Sequence, residues 1–247
     1  MTDETPDARG LPGGDAEERS VKETQLSRES WKVFQIMAEF VEGYEQLARI
    51  RPSVSIFGSA RMPPEHPYYK LGEEIGYALS CAGFSVVTGG GPGLMEAANK
   101  GAYRGKSPSI GLNIRLPHEQ HANAYQDVTL TFQHFFSRKV MFVKYASAYV
   151  ALPGGFGTLD ESLEILTLIQ TGKSRRIPII LVGSEFWAGL TDWFRKRLVD
   201  DRMINTDDLE LVSIADRADE VVDIIFAHYG DRGFEPSAEE REMMLEL

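Results

Sequence analysis

Three short stretches of this chain carry residues that could do chemistry: "FGSAR" (57–61), "TGGGPGLME" (88–96) and "PGGFGTLDE" (153–161). Each follows an apolar run of strand character, and the last two run into apolar helical patterns. Glycine lets a turn take positive φ and lets a ligand approach the backbone closely. A strand, a glycine turn and a helix N-terminus together make backbone N–H groups converge on an anion. Gly89, Gly90, Gly91 and Gly93 precede one helix, and Gly154, Gly155 and Gly157 precede another. Phosphate is the natural guest at either turn. The plainer reading is that these glycines only make tight strand-to-helix turns. Two over-supplied turns at one sheet edge favour a ligand.

The guest does not read as a dinucleotide or a triphosphate. After Gly91-Pro92-Gly93 comes Glu96, where a dinucleotide fingerprint has a third small residue, and "SIGLNIR" (109–115) offers no ribose carboxylate. No G-x-x-x-x-G-K-[ST] loop exists. A single phosphate, as in a nucleoside monophosphate, fits better. Thr158-Leu159-Asp160-Glu161 also matches a capping box, with Thr158 as N-cap and Glu161 folding back to it. Capping and catalysis both remain open for Glu161 at this point. In "HFFSRKVMFVKYAS" (134–147), Arg138 and Lys139 fall in the opening turns of a helix, where the dipole disfavours cations. A solvated face is the default there. A helix that begins beyond the sheet edge would instead point Arg138 at an anion held by the glycine turns.

Other reactive side chains carry less. His134 reads as a hydrogen-bonded structural histidine. His118 and His121 have loose ligand spacing without a third partner, so no metal is expected. Cys81 is the only cysteine, which excludes an internal disulfide, and its apolar helical setting suggests a buried structural thiol.

The elements that must position these residues alternate from residue 53 onward. Apolar strands are expected at 53–57, 84–88, 109–114, 128–132, 148–152 and 178–182. Helices are expected near 67–82, 93–104, 136–146, 158–171, 186–200 and 216–229. This order implies an α/β, Rossmann-like, doubly wound and mostly parallel sheet with helices on both faces. Ligands then bind beyond the carboxyl ends of the strands, where the three glycine turns lie. Residues 1–28 read as a disordered acidic arm. Ser30 is a candidate cap for an N-terminal helix within 29–50, whose apolar face is Phe34, Met37, Val41, Tyr44 and Ala48. Residues 51–230 are expected to form a Rossmann-like nucleotide-binding catalytic domain, and 231–247 a C-terminal tail.

Charge narrows the partners. The chain has 247 residues and a net charge of −11. Residues 1–30 carry eight acids and four bases, and residues 231–247 six acids and two bases, so the ends hold −8 of that total. The centre shows no cluster of Lys and Arg interleaved with aromatics, so no nucleic acid is expected. No run is long and apolar enough to span a bilayer, and the acidic start is unlike a secretory signal. The cytoplasm is the simplest compartment.

At the motifs "GGGPGLMEAANKGA" (89–102), "SRK" (137–139) and "PGGFGTLDE" (153–161), the chain resembles the LOG ("Lonely Guy") family. Its members are cytokinin riboside 5′-monophosphate phosphoribohydrolases, often mislabelled as lysine decarboxylases, and the resemblance covers roughly residues 50–230. It implies a homodimer or higher oligomer, and cleavage of an N-glycosidic bond to give a free base and ribose 5-phosphate, with no cofactor. By resemblance Arg138 and Glu161 match the family's essential arginine and glutamate. Gly89, Gly90, Gly91, Gly154, Gly155, Gly157 and Thr158 match its phosphate- and substrate-binding turns. Gly58, Ser59, Gly93, Glu96 and Lys139 complete the set of candidate substrate contacts. Pro92, and Glu96 after Met95, depart from the plant form of the loop and resemble the longer bacterial members. Arg138 is expected to keep Glu161 ionised. A lysine decarboxylase with a pyridoxal phosphate Schiff base finds no singled-out lysine here. The rival reading is a non-catalytic nucleotide-binding sensor or carrier on the same fold.

Overall fold

The computed structural model describes residues 16–50, 52–117, 121–230 and 233–245, with side chains from residue 29 onward. Seven strands form one parallel sheet: β1 (Ser53–Phe57), β2 (Ser85–Thr88), β3 (Ser109–Ile114), β4 (Val128–Phe132), β5 (Ala148–Ala151), β6 (Ile179–Val182) and β7 (Val212–Ala215). Their order is β4-β3-β2-β1-β5-β6-β7. β1, β2, β5 and β6 are buried along their whole length. That explains why β5 and β6 read as continuous apolar runs. β1 alternates Ser53-Val54-Ser55-Ile56 yet stays buried, because the Ser53 and Ser55 hydroxyls donate to the Tyr145 and Phe142 carbonyls.

Five helices make crossovers: α2 (Pro67–Cys81), α3 (Leu94–Tyr103), α4 (Phe135–Tyr145), α5 (Phe156–Gln170) and α6 (Ser184–Trp193). A further helix, α7 (Ala218–Tyr229), follows the last strand and packs back on the core. The main core joins β1, β2, β5 and β6 to α2, α3 and α7 through Val54, Ile75, Leu79, Val86, Val150 and Ile225. α2 and α3 touch so closely that a Cβ on Gly76 would lie 2.1 Å from the Ala98 carbonyl oxygen. The chain winds outward from β1 to β4, then returns to place β5 on the other side of β1. The switch point therefore lies between β1 and β5, the crevice where such sheets bind ligands. Here Ser59 N–H donates to the Pro153 carbonyl at 3.1 Å, tying the first glycine turn to the third.

The expected α/β fold is present, with three differences. All seven strands are parallel, and β7 is one that pattern reading missed; it is a short edge strand, partly exposed along most of its length. The predicted helix at 186–200 ends as an α-helix at Trp193 and continues as a π-helical turn, Phe194–Val199. The first helix, α1, runs Ala16–Leu47, so Ser30 lies inside it and residues 16–28 are helical. Glu, Lys, Gln, Arg and Leu dominate that stretch and favour helix without an apolar period. Residues 1–15 of the expected arm lie outside the described residues.

Two compact units divide the chain, one ending at Val41 and the other spanning Glu42–Leu247. In the first, Trp31, Phe34, Met37 and Val41 are exposed. In the second, the end of α1 packs on α4: Tyr44 meets Tyr145 edge-on at 6.5 Å, and a Cβ on Gly43 would lie 2.7 Å from Met141 Sδ. A short helix, α8 (Ala238–Leu245), closes the described chain, and Lys144 donates to its Met244 carbonyl at 2.5 Å.

Candidate active site

The third glycine turn delivers α5 with an uncapped end. Gly155 is the N-cap, in an extended conformation, and no side chain caps the helix. The capping-box reading is therefore corrected. The helix begins at Phe156, so Thr158 sits in the first turn and Glu161 well inside the helix, beyond reach of the cap. Thr158 instead packs over Gly154, where a Cβ would lie 2.0 Å from Thr158 Oγ1. The first-turn amides belong to residues in the wall of a cavity of about 950 Å³. That size lies within the ordinary range for a small-molecule site.

Glu161 and Thr158 fall on the buried side of α5, whereas Asp160 and Phe156 are exposed. From the opposite wall, α4 contributes Arg138. His134 is its N-cap residue and makes no side-chain capping bond. Arg138 is thus in the second turn, aimed at the cavity across the faces of Phe135 and Phe142, at 5.3 and 5.6 Å. Its Nη1 donates to the Leu112 carbonyl at 3.4 Å, and Nη2 lies 3.8 Å from Glu161 Oε1. That gap is ionic contact, too long for a hydrogen bond. Arg138 Nε is buried without a hydrogen-bond partner among the described residues.

Burial dominates the electrostatics of this pair. It pushes the Glu161 carboxyl up to about 7, against the opposing pull of Arg138 and Lys139. It also pulls the Arg138 guanidinium down, against Glu161 and Asp160. Arg138 was expected to hold Glu161 ionised. Its cation does act in that direction, but at 3.8 Å it does not outweigh the loss of water. A carboxyl near 7 can both give and take a proton at neutral pH.

The structure brings Gly58, Ser59, Gly89, Gly91, Arg138, Gly155, Gly157, Thr158 and Glu161 into one cavity wall. Gly90, Gly93, Glu96, Lys139 and Gly154 are not part of it. Gly90 and Gly93 have φ of 69° and 70°, and a Cβ on Gly93 would lie 2.4 Å from the Ser59 carbonyl oxygen. These two shape the turn. Glu96 accepts a hydrogen bond from Tyr69 Oη at 2.8 Å. Lys139 Nζ lies 2.9 Å from both Asp160 and Glu164, so it joins α4 to α5 instead of facing the cavity.

Pattern reading did not single out Arg61, Asn113, Arg115, Thr131, Phe135 or Phe142, all of which line the cavity. Arg61, Asn113 and Arg115 lie in or just beyond β1 and β3 at the carboxyl edge of the sheet. That position is the signal that could have found them. Cys81, expected to be buried, is partly exposed at the end of α2. His118 lies outside the described residues, and His121 is exposed. Among the described residues no group of three His, Cys, Asp or Glu is placed to hold a metal ion. No described helix is long and apolar enough to cross a membrane.

A family model described as "Possible lysine decarboxylase" matches residues 95–225. A cytokinin riboside 5′-monophosphate phosphoribohydrolase of Mycobacterium marinum is 27% identical over 175 residues, covering 70% of this chain and 92% of that protein. A protein of the same description from Arabidopsis thaliana is 26% identical, covering 68% of this chain and 79% of its own. Among solved structures, a molybdenum cofactor binding protein from Rippkaea orientalis superimposes with a TM-score of 0.53 at 20% identity, covering 72% of this chain and 96% of its own. That likeness speaks for the fold. The decarboxylase description does not fit the cavity as a pyridoxal phosphate site. No lysine is among its described lining residues, and Lys139 is committed to two carboxylates.

Proposed function

Because the chain belongs to the LOG family, whose model carries the description of possible lysine decarboxylases, we propose that it hydrolyses the N-glycosidic bond of a nucleoside 5′-monophosphate. The substrate class is AMP or an N6-modified AMP, and the products are the free base and ribose 5-phosphate. One observation carries the reading: Arg138 and Glu161 sit 3.8 Å apart in a cavity that also contains the uncapped first turn of α5. A protein that only binds a nucleotide needs the turns but has no use for the buried carboxylate.

The chemistry follows from the charges. Cleavage of C1′–N builds positive charge on the sugar, as in glycoside hydrolysis. Ionised Glu161 stabilises that charge and takes a proton from the attacking water. The resulting hydroxide adds to C1′ as the bonding pair leaves with the base. The base takes up one proton from solvent and Glu161 returns the proton it accepted to solvent, so the net change is addition of one water across C1′–N. The α5 first turn, Gly91 and Ser59 hold the 5′-phosphate, so binding energy remote from the bond positions the sugar. Arg138 holds the ribose or phosphate and pairs with the carboxylate. With this reading goes a functional unit of at least two chains.

Incubation of the purified protein with a panel of nucleoside monophosphates tests the proposal, with free base and ribose 5-phosphate as the readout. AMP is cleaved with far higher kcat/KM than adenosine. Equal efficiency on the two, or no base release from any member, overturns the reading. Binding without release would assign the protein to the carriers of this fold.

A further inference from the structure

A buried amide network behind the second glycine turn plays no part in the chemistry above. Asn123 and Gln126 lie in the connection between β3 and β4, and Asn99 lies on α3. Asn123 N–H and Gln126 Nε2 both donate to the Gly90 carbonyl, at 2.8 and 2.9 Å. Asn123 Nδ2 donates to the Gly91 carbonyl at 3.0 Å and to Asn99 Oδ1 at 2.9 Å. Asn99 Oδ1 also accepts from the Thr88 hydroxyl at 2.6 Å, and that hydroxyl accepts the Gly90 N–H at 2.9 Å. Asn113 Nδ2 holds the Gln126 side-chain oxygen at 3.0 Å. Asn99 and Asn123 are buried.

The network grips the two carbonyl oxygens that would otherwise repel an anion. In a trans peptide the N–H points opposite to the preceding C=O. With the Gly90 carbonyl drawn toward Asn123 and Gln126, the Gly91 N–H is turned the other way. It donates to no other group among the described residues, and Gly91 is in the cavity wall. A peptide between two glycines meets little steric resistance to flipping, and Gly90 already has φ of 69°. Something must hold its orientation.

We propose that Asn123 and Gln126 are positioning residues for phosphate recognition: they lock the Gly90–Gly91 peptide so that the Gly91 N–H is presented to the 5′-phosphate. This rests on the reading of the cavity as a nucleoside monophosphate site. Without the clamp the peptide is free to present its carbonyl to the anion, and the loss falls on phosphate-bearing ligands alone.

Calorimetric titration with ribose 5-phosphate and with adenosine tests it. Wild-type protein binds both. Gln126→Leu removes the side-chain donor to the Gly90 carbonyl and weakens ribose 5-phosphate about tenfold, the scale of one hydrogen bond to a charged group. Asn123→Ala keeps its backbone N–H on that carbonyl, loses only the hold on the Gly91 carbonyl and Asn99, and weakens it less. Both variants change adenosine affinity less than twofold. Gln126 is only partly buried, so its variant keeps the test decisive where Asn123→Ala unfolds. Equal losses on both ligands, or no loss on ribose 5-phosphate, overturn the proposal while wild-type binding leaves the functional reading standing. Failure of the wild-type protein to bind ribose 5-phosphate overturns both.

Discussion

Glu161 is the residue on which the proposed chemistry turns, and its burial makes it testable in two ways. Glu161→Gln preserves shape and removes charge, so base release falls by roughly 10²–10⁴, the usual contribution of a general base, while AMP still binds. A product assay and calorimetry on the variant check this; full activity would return Glu161 to a packing role. The second test is stability. A carboxyl raised from 4.5 to about 7 keeps its proton in the folded state over a window where the unfolded chain has released it. Stability therefore falls as pH rises from 4.5 to 7, and the cost is fully present above 7. At 1.36 kcal/mol per pKa unit it amounts to about 3 kcal/mol. Glu161→Gln thus raises the midpoint of thermal unfolding by several degrees at pH 8 and hardly at all at pH 4.5. An equal change at both pH values would contradict a raised carboxyl.

At the scale of elements, α4 and α5 form the working pair. Adjacent residues on α4 divide the labour: Arg138 faces the cavity and Lys139 bridges to α5 through Asp160 and Glu164. The bridge stabilises the Lys139 cation: burial opposes its charge, but Glu164 and Asp160 raise its pKa overall. Its cation in turn pulls Glu161 downward. Lys139→Met removes that pull, so the rising limb of kcat/KM against pH moves to higher pH and activity at pH 7 drops severalfold. Lys139→Arg restores the limb. A profile that stays in place in Lys139→Met would show that the bridge only holds the helices together.

The whole molecule comprises a sheet-based unit and a helix that extends well beyond it in sequence. The Glu42–Leu247 unit contains the cavity, the end of α1 and the full sheet. The preceding unit exposes Trp31, Phe34, Met37 and Val41, an apolar set on a helix that serves no sheet crossover. The proposed dimer predicts that this set contacts a second copy. Deleting residues 1–41 then lowers the molar mass seen by light scattering and leaves a cooperative unfolding transition. Deleting residues 1–28 changes neither. A truncated chain that associates like the full one would remove α1 from the interface.

The sequence by itself determined the alternation of strands and helices, the three glycine turns and the sheet edge on which they lie. Those features are local: an apolar run, a glycine cluster and a period of three to four residues all report on neighbours in the chain. The burial of Glu161 is different, because it depends on α4 arriving from the far side of the sheet after β4. That return crossover places Arg138 against a carboxyl that local pattern could equally assign to a helix cap. Only the tertiary structure could show that α5 starts at Phe156, freeing Glu161 from capping, or that Lys139 pairs with Asp160 and Glu164 outside the cavity wall. The Asn99, Asn123 and Gln126 network was equally hidden, since polar residues in a loop and a helix carry no period that marks them as buried partners of a distant turn. Periodicity is set by neighbours along the chain, whereas desolvation and hydrogen-bond partners are set by the strand order that brings separate segments together.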